Sequence, residues 1–99
     1  MNAIGSIALS GMNAAQLRLG SSAHNIANAL TPGFRRQLVV QQSVPEGGVQ
    51  ASVTRAALEG PALADDLVAQ MSAGYLFIAN LKAIQTQDRL MGSLLDIRA

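Results

Sequence analysis

A helix that begins near the N-terminus of this chain cannot run past Thr31, and the rest of the fold depends on where the backbone goes from there. Residues His24 to Arg36 read His-Asn-Ile-Ala-Asn-Ala-Leu-Thr-Pro-Gly-Phe-Arg-Arg. Pro32 drives Thr31 out of the α region and has no N–H to donate, so the helix has to stop before it. Pro32-Gly33 then suits the central pair of a type II turn, with Gly33 supplying the positive φ. Asn28 is expected just past the helix end, in the left-handed conformation, with its amide bonding freed carbonyls. Asn25 stands nearby as a second local hydrogen bonder.

Upstream of this stop the pattern is helical from about Ala3 to Ala27, with Ile4, Ala8, Met12, Ala15, Leu19, Ser22 and Ile26 at steps of three and four. That face is apolar but made mostly of small residues. Gly5, Gly11 and Gly20 lie inside it, each costing about 1 kcal/mol relative to Ala in an isolated helix. Gly11 and Ala15 together let a second helix approach closely; equally, the glycines are simply tolerated, and the sequence leaves both readings open.

Downstream the period changes. Leu38, Val39, Val40, Val44, Val49, Val53 and Thr54 fall in two short runs around Pro45-Glu46-Gly47-Gly48, which predicts a β-hairpin over Gln37 to Val44 and Val49 to Arg55. Two strands alone are marginal in water, so the hairpin has to lean on the helices or on a partner. Pro61 suits the first turn of a last helix from about Ala62 to Ile97, with Asp65 and Asp66 near its positive end.

A helix of that length points to a coiled coil. Two apolar stripes can be traced on it: Leu67, Phe77, Leu81, Ile84, Met91 and Leu95 in a rough heptad, and Leu76, Ala83, Leu90, Leu94 and Ile97 beside them. A two-helix pair covers one stripe. We assign the first to the partner helix; the second implies either a β-layer lying on it or other subunits, and the twenty-odd hairpin residues cannot cover the whole helix. The expected fold is therefore mainly α, an antiparallel two-helix coiled coil with a short β-hairpin insertion. Its segments are 1–36 (helix and turn), 37–61 (hairpin and linker) and 62–99 (long helix), within one structural unit.

Composition narrows the function. Of the 99 residues, 49% are hydrophobic and only 13% charged, about half the charged share usual in soluble domains. So short and apolar a chain is expected to bury surface against neighbours. A net charge of +1 and three aromatics without Trp provide neither a basic field nor stacking platforms for a nucleic acid. With no cysteine and a single histidine, His24, no thiolate or shared-histidine metal site can form.

Asp65-Asp66 reads as helix-dipole complement rather than an acid/base pair, and Gly47-Gly48 lacks the downstream Lys of a phosphate loop. Arg35-Arg36 is expected to meet carboxylates of a neighbouring subunit. No catalytic residue, cofactor, metal or small-molecule substrate is expected. No apolar run approaches the roughly 18 residues of a transmembrane helix, and Met1 to Ile7 lacks a basic n-region and apolar block. Any export is therefore expected to leave the N-terminus in place.

Two stretches carry a resemblance. Asn25-Ile26-Ala27-Asn28-Ala29 followed by Thr31-Pro32-Gly33-Phe34-Arg35 resembles the N-terminal signature of the bacterial flagellar rod and hook (axial) protein family, with Leu30 standing where that family often has Asn. Phe77-Ile78-Ala79-Asn80-Leu81-Lys82-Ala83-Ile84-Gln85-Thr86, continuing through Leu90-Met91-Gly92-Ser93-Leu94-Leu95, is similar to its C-terminal signature, with Phe77 in place of a usual Tyr. The short centre looks most like the small proximal-rod members.

The resemblance implies a structural subunit of the flagellar basal body that partners other rod and hook subunits and itself. It also implies export through the flagellar type III apparatus to the periplasmic rod. Family-motif residues would be Asn25, Ala27, Asn28, Thr31, Pro32, Gly33 and Phe34. Packing and assembly residues would be Phe77, Asn80, Leu81, Ile84, Leu90, Met91, Leu94 and Leu95. The competing class is a coiled-coil adaptor or assembly factor that is not built into the rod.

Overall fold

The computed structural model describes residues 3–98, with side chains from Ile4 to Asp96. Four elements follow in chain order: helix α1 (Ala3–Ala27), strands β1 (Gln37–Ser43) and β2 (Val49–Arg55), and helix α2 (Leu63–Arg98). The fold is mainly helical, as expected, with the helices packed on each other and the hairpin between them in sequence. Pro61 lies just before α2 rather than in its first turn, and the Asp66 amide bonds the Ala62 carbonyl at 3.0 Å to open the helix. The expected role of Ile97 in the second stripe lies outside the described side chains.

The helices are antiparallel. Gly11 lies against Asn80 and Asn25 against Asp66, so residues whose numbers add to 91 face each other. Ala3 accordingly sits level with about Asp88, and the last turns of α2 project past the start of α1. The molecule is a rod, 64 × 25 × 14 Å.

The seam is built from small and polar side chains: Ala8, Ala14, Ala15, Ser21, Ser22 and Asn25 of α1, and Asp66 and Ala73 of α2, are buried. At Gly11 a Cβ would stand 2.7 Å from Asn80 Oδ1, so the Asn80 carboxamide occupies the space that the glycine leaves. The seam also corrects the division into stripes. Leu67 and Leu81, assigned to the partner helix, are exposed, and the seam instead runs through Asp66, Ala73 and the half-buried Phe77, Asn80, Ile84 and Gln87. Small and polar side chains fill the seam alongside Phe77 and Ile84, so hydrophobicity alone does not mark the contact face.

The two strands pair antiparallel from Gln37↔Arg55 to Ser43↔Val49. The hairpin packs along α1 and makes no direct packing with α2, so α1 forms a middle layer. Two anchors hold it. At its base Asn25 bonds both backbone groups of Gln37, and at its tip the Val49 amide donates to Ser10 Oγ at 3.1 Å. Gly47 and Gly48, both at positive φ, let the tip sit on Ile7 and Ser10, where a Cβ would fall within 3 Å of each.

Leu63–Asp96 is also long and apolar enough, by length and composition, to cross a membrane. Counting uninterrupted apolar runs missed this, because Gln70, Ser72, Gly74 and Asn80 break the run while adding no charge.

Candidate functional site

The turn that ends α1 is a hydrogen-bonded unit. Asn28 follows the helix and caps it with its side chain, Nδ2 donating to the His24 carbonyl at 2.9 Å, while its own amide bonds the same oxygen at 3.1 Å. No non-glycine residue described has positive φ, so the expected left-handed Asn28 is not formed. With two donors already on the His24 carbonyl, the backbone has no need of that conformation.

Thr31 Oγ1 donates to Asn28 Oδ1, and the Phe34 amide bonds the Thr31 carbonyl at 3.3 Å across Pro32-Gly33, with Gly33 at φ 73° as a type II turn requires. Phe34 packs its ring edge-on against His24, centroids 5.4 Å apart. Ala27, Pro32 and Leu30 face solvent.

Asn25 is more than the local hydrogen bonder the sequence suggests. Its Nδ2 donates to the Gln37 carbonyl (2.9 Å) and to Asp66 Oδ1 (3.1 Å), and its Oδ1 accepts from the Gln37 amide (2.7 Å). Arg36 completes the cluster, Nε donating to Asp66 Oδ2 at 3.1 Å and Nη2 to Asp66 Oδ1. Arg36 therefore finds a carboxylate within its own chain, where the sequence suggested a neighbour's. Arg35 is exposed.

Burial alone would push the Asp66 carboxyl up, but the hydrogen bonds from Arg36 and Asn25 and the Arg36 charge hold it below its ordinary value. The bond to Asp66 correspondingly raises the Arg36 guanidinium. The cluster ties the end of α1, the start of β1 and the first turn of α2 together. Spacing alone did not show it, because the three residues meet only after the chain folds back.

The second feature is apolar surface without cover. Leu67, Met71, Tyr75 and Ile78, at steps of four and three, line the face of α2 turned away from α1, and all are exposed. Leu90, Met91, Leu94 and Leu95 are exposed where α2 overhangs α1. Of the residues expected to pack or assemble, Phe77, Asn80 and Ile84 lie half-buried in the intrachain seam, while Leu81, Leu90, Met91, Leu94 and Leu95 lie outside it. A groove of about 350 Å³ runs between the hairpin tip and both helices, lined by Ile7, Gly11, Ala14, Val49, Leu76 and Asn80. Among the described residues no group of acidic or histidine side chains could hold a metal ion.

These features have counterparts among known proteins in one respect. No curated protein matches the chain. The family model described as "Flagella basal body rod protein" matches residues 6–35, which are most of α1, its Asn28 cap and the Pro32-Gly33 turn. Over this segment, the chain is similar to the flagellar basal-body rod protein family.

Proposed function

We propose that the chain is a structural subunit of the flagellar rod, most like the small proximal-rod proteins, and is joined to its neighbours by coiled-coil packing of α2 in a torque-transmitting tube. The observation that carries this reading is α2 itself. It is apolar on the face away from α1 as well as at its overhanging end, and neither α1 nor the hairpin covers those surfaces. A helix that leaves this much apolar surface uncovered belongs inside something larger. Partners are other rod and hook subunits and further copies. The route is type III export to the periplasmic rod, and the reading involves no catalysis, cofactor or small-molecule substrate.

Sedimentation of the purified chain, alone and mixed with other rod proteins, tests this. Concentration-dependent oligomers or co-assembly are expected, and a monomer that binds none of them refutes the reading. The membrane-like composition of α2 favours a second reading, insertion into lipid. Its uncharged stretch from Leu67 to Leu81 spans about 22 Å as a helix, short of the roughly 30 Å hydrocarbon core. Protein neighbours are therefore the better cover. Flotation with lipid vesicles in place of assembly would reverse that choice.

A further inference from the structure

Among the described residues, the hairpin leaves both of its edges open, in a pattern fixed by the ladder. The Ala56 amide bonds the Arg36 carbonyl at 2.8 Å and the Val44 amide bonds the Gly48 carbonyl at 3.1 Å. Pairing within the hairpin therefore uses the even-numbered residues, and the odd-numbered residues turn their N–H and C=O outward. Both anchors obey this rule. Gln37 on the β1 edge is taken by Asn25, and Val49 on the β2 edge by Ser10. What remains is Val39, Gln41 and Ser43 on one edge and Ala51, Val53 and Arg55 on the other, three outward residues each. Edges of this kind are usually blunted by charge, Lys or Pro. Here β1 carries no charge and β2 only the terminal Arg55, and neither strand contains Pro.

The layering says what fits there. The Asn25 and Ser10 anchors are fifteen residues apart on α1, about 22 Å of helix, and seven-residue β1 spans about 20 Å, so the strands run along the helix axis. Hairpin, α1 and α2 form three layers, and the molecule is only 14 Å across its narrowest direction. Two strands occupy about 9.6 Å sideways, and packed helices sit about 8–10 Å apart. One sideways step of that size brings the β2 edge of one copy against the β1 edge of the next while their helices come into packing distance.

We propose that copies of this chain join laterally by antiparallel strand pairing, β2 of one hairpin with β1 of its neighbour, so that the hairpins form a continuous sheet over the helices. This rests on the self-assembly reading above and specifies one of its contacts. Because the two edges differ, the contact is head-to-tail and leaves a free edge at each end of the row, which suits an open or ring-closing assembly.

Amide hydrogen exchange on the dilute monomer and on the concentrated, sedimented assembly tests it without altering the chain. Amides of the even residues Leu38, Val40 and Gln42, already paired, serve as the reference and stay slow in both states. The amides of Val39, Gln41 and Val53 exchange freely in the monomer and are expected to slow by at least roughly tenfold on assembly. Assemblies in which these amides remain fast overturn the strand pairing and leave the assembly reading standing. A chain that never assembles overturns both.

Discussion

Asn25 and Asp66, separated by 41 positions, are joined side chain to side chain at 3.1 Å, and Asn25 spends its other donor and its acceptor on the backbone of Gln37. Three elements thus share one carboxamide. Asn25→Ala removes all three bonds and strands partly buried groups, so it is expected to cost about 2–4 kcal/mol. Asn25→Asp sets a second carboxylate against Asp66 and should be at least as damaging at pH 7, with part of the loss recovered near pH 4 as one carboxyl takes a proton. Urea unfolding of both variants at the two pH values checks this, and an Asn25→Ala midpoint equal to wild type would show that the cluster contributes nothing.

Asp66 also sets an acid limit. Its carboxyl titrates below its ordinary value of 3.8 in the folded protein, so the unfolded chain binds the proton more readily than the folded one. The stabilisation is complete above the ordinary value and disappears as pH falls through the lower folded value. Wild-type stability should therefore include a step below about pH 4 that Asp66→Asn lacks. At pH 7 Asp66→Asn should lose about 3 kcal/mol, the low end for a broken buried pair because Arg36 can still reach water. Thermal melts from pH 3 to pH 7 measure both effects.

The elements were legible in the sequence because their signals are local. Pro32-Gly33 stops α1, the switch from a helical to an alternating period marks the hairpin, and Pro61 precedes α2, and the observed bounds follow these signals closely. The contact face of the helices was not legible. Hydrophobicity pointed to Phe77 and Ile84, which lie half-buried in the seam, but equally to Leu67 and Leu81, which are exposed, and it passed over the buried Ala, Ser, Asn and Asp that make up the rest. The Asn25–Arg36–Asp66 cluster was hidden for a related reason: each residue had an adequate separate explanation, as a local hydrogen bonder, a partner for a neighbouring subunit's carboxylates or a dipole complement. The three share a purpose only in the folded chain.

Gly11 and Gly20 separate packing from helix propensity. Alanine at either site gains up to about 1 kcal/mol of helix propensity. At Gly20 nothing lies within 4 Å of the new Cβ, so Gly20→Ala should be stabilising. At Gly11 the Cβ meets Asn80 at 2.7–2.9 Å, and the Asn80 amide is itself bonded to the Leu76 carbonyl at 2.8 Å. Gly11→Ala should therefore lose about 1–3 kcal/mol net, as overpacked sites do. Asn80→Ala in the same chain should recover part of that loss. Equal melting temperatures for the two single glycine variants would mean that the close approach at Gly11 has no energetic weight.

Where the assembly energy resides can be tested with three aspartates. Ala73 is fully buried in the seam at 0% exposure, so Ala73→Asp places an unpaired carboxylate between the helices and should unfold the subunit. Leu90 is 62% exposed on the overhang, and Leu90→Asp should leave the circular dichroism and melting of the monomer within about 0.5 kcal/mol of wild type while abolishing oligomers. Leu81, at 37% exposure, groups with Leu90 in this respect and not with Ala73, although its heptad position in the sequence suggested the reverse. Leu81→Asp should fold, and it should assemble weakly. If Leu90→Asp forms oligomers as readily as wild type, the overhang of α2 is not an interface, and assembly has to rest on the outer stripe of Leu67, Met71, Tyr75 and Ile78 together with the hairpin edges.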